Sequence, residues 1–91
     1  MASRAHRRYR VELKPSAARA LAKLPRPALR RVAEAIDALT EEPRPRGARK
    51  LTGAPDLYRI RVGDYRVIYA IEDRVLLVLV VALGHRREVY R

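Results

Sequence analysis

Three arginines, Arg59, Arg61 and Arg66, stand in the stretch LYRIRVGDYRVIY where a β-hairpin would bring them to one side of a sheet. Leu57 to Val62 alternates Arg59 and Arg61 with Tyr58, Ile60 and Val62, the period-two pattern of a strand with one polar and one buried face. Gly63-Asp64 reads as a two-residue loop that sets Val62 opposite Tyr65. Arg61 then faces Arg66, Ile60 faces Val67, Arg59 faces Ile68 and Tyr58 faces Tyr69. Like charges opposed across a ladder cost up to about 1 kcal/mol per pair. Guanidiniums gathered against that repulsion suit a polyanion, because each planar fork holds two oxygens of one phosphate. The hairpin alone leaves open the blander arrangement, in which these side chains splay into water.

Other elements must hold this hairpin. Tyr9 to Lys14 alternates Tyr9, Val11 and Leu13 with charged residues and reads as an edge strand. Ser16 is a suitable N-cap for a short Ala-rich helix reaching about Leu24, where Pro25 and Pro27 break it. Pro27 suits the first turn of a second helix whose apolar stripe is Leu29, Val32, Ile36 and Leu39. That stripe is expected to cover the Tyr, Val and Ile face of the hairpin, with Tyr58, Tyr65 and Tyr69 in the core. Thr40 to Glu42 ends the helix, and Pro43 to Asp56 reads as a loop whose Arg44, Arg46, Arg49 and Lys50 are candidates for phosphate contact. Val75 to Leu83 has no polar face, so it is expected to be the central strand, covered on both sides and flanked by the hairpin and the N-terminal strand. After Gly84, the segment His85 to Arg91 is expected to leave the sheet beside the arginine face. The architecture predicted for residues 1–91 is a single α+β domain: an N-terminal strand, a helix hairpin, then a three-stranded antiparallel meander, with the helices packed on one face of one small sheet.

Composition bounds the partner. The chain has 91 residues, no cysteine, 21 Lys plus Arg against 10 Asp plus Glu, and hence a net charge of +11. Such a balance in so small a domain points to nucleic acid, or to an acidic protein, ahead of a membrane surface. The longest apolar run is about half of what a spanning helix needs. No basic start joined to an apolar run marks a leader, so a soluble, cytoplasmic protein is expected, with no metal and no cofactor. The basic arm Met1 to Arg8 reads as solvated, and His6 in it as incidental.

The words KLTGAPDLYRIRVGDYRVIYAIED and VLLVLVVALGHRREVYR, nearly continuous from Lys50 to Arg91, resemble the RelE/ParE toxin superfamily and within it the RelE branch. The resemblance implies the toxin of a type II toxin–antitoxin pair that enters the ribosomal A site and cuts mRNA there. The ribose 2′-oxygen would attack the adjacent phosphate, leaving a 2′,3′-cyclic phosphate and a 5′-hydroxyl. It further implies an acidic RelB-like antitoxin and ribosomal RNA as partners, and catalytic positions at Arg59, Arg61, Arg66, Arg86 and Tyr90. Arg87 joins the RNA contacts. Arginine stays protonated, so it is a poor general base. Family members often carry lysine at such positions; here the base would be His85, Glu88 or a ribosomal group. Two other readings fit the same scaffold, a ParE-like inhibitor of DNA gyrase and a non-catalytic RNA-binding module.

Overall fold

The computed structural model describes residues 8–54 and 56–85. Along the chain run β1 (Arg10–Leu13), α1 (Pro15–Ala22), α2 (Arg26–Ala38), β2 (Arg49–Lys50), β3 (Leu57–Val62), β4 (Tyr65–Glu72), a 3-10 turn (Asp73–Val75) and β5 (Leu77–His85). The strands form one sheet in the order β1-β5-β4-β3-β2, with β1 parallel to β5 and the remaining pairs antiparallel. The class is α+β, as expected.

The local reasons for these elements depart from the sequence reading in four places. Lys14, in extended conformation, is the N-cap of α1; Pro15 opens the helix and Ser16 lies inside it without capping. Proline tolerates the first helical position because its missing N–H has no partner there in any case. Second, the Pro43 to Asp56 connection is not all loop, since Arg49 and Lys50 pair with Arg59 and Tyr58 to make a fifth strand at the sheet edge. Third, β5 has the two neighbours expected of it, but the middle of the sheet is β4. Fourth, β5 begins at Leu77, because Asp73–Val75 turn first and Leu76 takes a left-handed φ of 52° to enter the strand.

The hairpin register is the one read from the sequence: Val62↔Tyr65, Arg61↔Arg66, Ile60↔Val67, Arg59↔Ile68 and Tyr58↔Tyr69. Gly63 supplies the positive φ of 61° that a Gly-first two-residue loop requires. Between β4 and β5 the register shifts at Ile68/Tyr69, so Tyr69 pairs with Val80 while Ile68 pairs with Ala82. Such a bulge bends its strand and increases the local twist.

One face of the sheet carries the core. Val32, Ile36 and Leu39 of the α2 stripe are buried together with Ile60, Val67, Tyr69, Ile71, Val78, Val80 and Leu83. Tyr58, Tyr65, Val11 and Leu13 pack against this cluster. Complete burial of one such aliphatic side chain contributes about 1.5–3 kcal/mol, so this face supplies most of the stabilisation. The opposite face of β5 carries Leu77, Leu79 and Ala82, which are only part-buried. The expectation that β5 is covered on both sides is therefore corrected: the helices reach one side only. No helix among the described residues is long and apolar enough to cross a membrane.

Candidate nucleic-acid interface

The alternation of β3 and β4 separates cations from core. With Tyr58, Ile60, Val62, Tyr65, Val67 and Tyr69 turned to the helices, Arg59, Arg61 and Arg66 share the opposite face. β2 adds to them, because Arg49 pairs directly with Arg59 and so points the same way. Arginines from three strands thus stand side by side, with cross-strand Cβ atoms about 5 Å apart. The sequence places Arg49 in the Pro43 to Asp56 loop as a candidate phosphate contact, not on a strand. The signal that could have found it is the Thr52-Gly53 turn between Arg49-Lys50 and β3, where Gly53 has φ of 77°.

The four are not equally exposed. Arg49 and Arg61 are open to solvent, whereas Arg59 and Arg66 are half-buried and their Nε atoms are shut off from it. Ile68, opposite Arg59 and two residues along from Arg66, is only 7% exposed although it lies on this face. Long aliphatic stems cover apolar surface of this kind while their charged heads stay outward. Arg59 and Arg66 are thereby held with restricted freedom, which suits an anion-binding group whose ordering cost is met during folding.

His85 lies elsewhere. Its register partner is Tyr65, and the two rings meet edge to face at 5.9 Å and 79°. Because Tyr65 turns to the helix side, the imidazole is across the sheet from Arg59, Arg61 and Arg66. The placement of His85 beside the arginine face is therefore corrected by strand parity. Arg86, Arg87, Glu88 and Tyr90 lie outside the described residues.

The loop cations also divide. Arg46 is exposed in a turn, and Lys50, opposite Tyr58, belongs by register to the helix side. Arg44 differs from both, since its guanidinium already has partners within the fold. Its Nη1 and Nη2 donate to the two oxygens of Asp73 at 3.2 and 2.9 Å, and its Nε donates to the Tyr58 hydroxyl at 3.1 Å. The same guanidinium lies 5.2 Å from the centre of the Tyr58 ring. Asp73, and then Tyr58, hold Arg44 even more firmly in its charged form. Asp73 also accepts the Tyr9 hydroxyl at 2.6 Å. This clip joins the residue before β1, the loop after α2, β3 and the β4–β5 turn. No local motif announces it, because its partners are 29 and 64 residues apart.

Beside the clip, the Tyr69 hydroxyl donates to the Pro43 carbonyl at 2.8 Å inside the protein, and the Tyr58 and Tyr69 rings stack at 6.0 Å. Burial pushes the Tyr69 phenol up from 10.0 to about 12. Bound in this way, these phenols fix the loop and the core, and Tyr69 has no access to the arginine face. Among the described residues no group of three or more His, Cys, Asp or Glu side chains is placed to hold a metal ion.

Comparison with known proteins bears on this arrangement. Residues 11–90 match the family described as ParE toxin of type II toxin-antitoxin system, parDE. Among solved structures, a chain of the archaeal RelE–RelB complex of Pyrococcus horikoshii is 39% identical, with 88% of this chain and 97% of that one covered at a TM-score of 0.77. A chain of the RelBE2 toxin–antitoxin complex of Mycobacterium tuberculosis is 32% identical, with coverage of 89% and 94% and a TM-score of 0.75. The isolated RelE toxin of E. coli is 29% identical, with coverage of 90% for both chains and a TM-score of 0.76. The match spans β1 to the C-terminal segment, so it includes every strand of the arginine face. This chain is a toxin of a type II toxin–antitoxin system and belongs to the RelE/ParE family.

Proposed function

We propose that the protein is an mRNA endonuclease that works in the ribosomal A site, with the arginine face as its phosphate-binding surface. One observation carries this reading: Arg49, Arg59, Arg61 and Arg66 come from three strands to a sheet face that neither helix covers. In-line attack by a ribose 2′-oxygen adds negative charge to the phosphoryl oxygens, and preorganised guanidiniums stabilise that charge most where water is scarce. Arg59 and Arg66, partly withdrawn from solvent, are the fixed donors; Arg49 and Arg61 are the exposed ones, and Arg61 closes on the phosphate. Arg86 and Tyr90 complete the set, by leaving-group stabilisation and by stacking on a splayed base. The proton of the 2′-hydroxyl goes to an acceptor outside the four arginines, because guanidinium remains protonated and His85 is on the other side of the sheet. The departing 5′-oxygen takes up a proton from water, so the products would be a 2′,3′-cyclic phosphate and a 5′-hydroxyl, with no cofactor consumed.

The resting partner in this reading is an acidic antitoxin that covers the basic face in the cytoplasm. Solved relatives occur as RelE–RelB complexes, which supports it. The family description names ParE, and this favours a second reading, inhibition of DNA gyrase without RNA chemistry. Induction followed by primer extension separates the two. Cuts within codons that vanish in Arg61→Ala support the nuclease. Intact mRNA with gyrase-dependent DNA damage would replace it by the ParE-like activity.

A further inference from the structure

An apolar cleft of about 280 Å³ lies where β2 stops short of covering β3. β2 pairs with Tyr58 and Arg59 alone, and before Arg49 the chain turns, the Ala48 N–H donating to the Pro45 carbonyl at 2.9 Å. Beyond Arg59, therefore, the edge of β3 has no strand beside it. Ala35 and Ala38 of α2, Pro45 and Gly47 of the turn, and Ile60 and Val62 of β3 form the apolar walls, with Arg61 as the one charged residue. Small residues keep the space open. Ala35 and Ala38 extend only a methyl from α2, and a Cβ placed on Gly47 would meet nothing within 4 Å. Interiors are normally packed as tightly as organic crystals, so walls left in water here forgo burial that larger side chains would have gained.

The edge also supplies donors. The Leu51 N–H donates to the Leu57 carbonyl at 2.9 Å, so Leu57 turns its backbone groups toward β2. That direction alternates along an antiparallel strand, and Arg59 and Arg61 therefore turn the same way. At Arg59 the neighbour is β2; at Arg61 it is the cleft, and among the described residues the Arg61 N–H meets no backbone acceptor. The Arg61 guanidinium is exposed and forms no ion pair among them either. One residue thus places an amide donor and a fixed positive charge at the rim of an apolar space, and no carboxylate lines it.

The length of the open edge selects the occupant. Between the end of β2 and the Gly63 turn only Arg61 faces outward, so an added strand would gain ladder bonds at a single residue, whereas strand addition draws its affinity from a row of them. A small molecule needs no such row. An apolar body would leave water against Ala35, Ala38, Ile60 and Val62, and a planar anion would take one hydrogen bond from the Arg61 amide and another from its guanidinium. We propose that this cleft binds a small amphipathic carboxylate, of the class of a medium-length aliphatic acid. Occupancy draws Arg61 away from the arginine face, so the ligand and a polyanion compete for it. The competition rests on the phosphate-binding reading of that face; the binding does not.

The test is an amide NMR titration of the full chain with monomeric octanoate, beside octanol and acetate. Octanoate is expected to give saturable shifts centred on Gly47, Ile60, Arg61 and Val62, with Kd on the order of 1 mM, and each of the other two to bind at least about tenfold more weakly. Gly47, whose φ is not positive, tolerates a side chain, so Gly47→Leu should fill the cleft and weaken octanoate roughly tenfold or more. Ala38→Leu fills it from α2 and serves if the first variant misfolds. Arg61→Gln should bring octanoate down to the affinity of octanol. Absence of a saturable shift, shifts spread over the basic surface, or full affinity in both folded leucine variants would overturn the proposal. Acetate binding as tightly as octanoate would reduce the site to a general anion contact, and octanol doing so would remove the carboxylate; either result also overturns it. So would an acidic peptide that displaces octanoate and protects the Arg61 amide from exchange, which would give the edge to a strand. Cleavage on programmed ribosomes keeps the readings apart: a chain that takes octanoate in this cleft but cuts nothing refutes the nuclease alone, and one that cuts mRNA but shows no saturable shift refutes the ligand site alone.

Discussion

Along β3 and β4, neighbouring residues have opposite employment. Val67 is fully buried under the helices, while Arg66 beside it faces away from them; Ile60 is buried while Arg61 is open to solvent. A backbone whose side chains alternate lets a small domain stabilise itself with one face and keep cations together with the other. The contrast teaches that the arginine face is tolerated because its opposite side is so well packed. Like-charge repulsion of up to about 1 kcal/mol per pair is small against several buried aliphatic and aromatic side chains.

That contrast can be broken from either side. The largest effect is expected on the packed face: Tyr69→Ala removes a fully buried ring and should cost about 3–5 kcal/mol, a large part of the stability of a small domain, as read from urea or thermal unfolding. Arg61→Ala, on the open face, should leave the unfolding midpoint within about 0.5 kcal/mol of the parent. If the arginine face is catalytic, cleavage on programmed ribosomes should fall roughly a hundredfold, equivalent to ~3 kcal/mol. A change in Tm as large as that of Tyr69→Ala would erase the distinction between the faces.

Finer tests address how the packed face is sealed. Tyr69→Phe keeps the ring but leaves the Pro43 carbonyl without its donor, which should cost about 1–3 kcal/mol. The same variant tests a pH dependence. Burial raises the folded-state pKa of Tyr69 above its unfolded value, so the neutral phenol is favoured in the folded protein. Its contribution is fully present below pH 10.0 and is lost as the pH rises through about 12. Alkaline melting curves should show that loss in the parent and not in Tyr69→Phe. Smallest of all should be Asp73→Asn. Arg44 and Asp73 are both well exposed, at 44% and 51% of their side chains, so solvent screening limits their pairing to below about 1 kcal/mol. Its clearer signature would be greater hydrogen exchange in the Pro43 to Lys50 connection, with the β3–β4 ladder unaffected.

The hairpin was legible residue by residue, because a two-residue loop and a period of two leave one register. The α2 stripe was legible for a similar reason: Val32, Ile36 and Leu39 recur at helical spacing and are buried where expected. Other features were illegible where they depend on residues distant in sequence. Arg44 in a Pro-rich loop has the composition of a phosphate contact, and its engagement by Asp73 becomes visible only when the β4–β5 turn is folded beside it. His85 looked adjacent to the arginines because it follows β5 directly. The bulge at Ile68/Tyr69 and the parity of the register put it on the other side.

The order of residues alone determined the α+β class, the alternation of Arg59, Arg61 and Arg66 with a hydrophobic face, the basic charge that calls for an anionic partner and the resemblance to RelE-like toxins. These follow from local periodicity, turn chemistry and charge, which need no knowledge of distant contacts. Tertiary structure decided that Arg49 joins the arginine face, that Arg44 is occupied within the fold and that His85 stands apart. Each of these depends on which strand edges meet and on which side a ladder register turns a side chain, and those are settled only when the sheet closes against its helices.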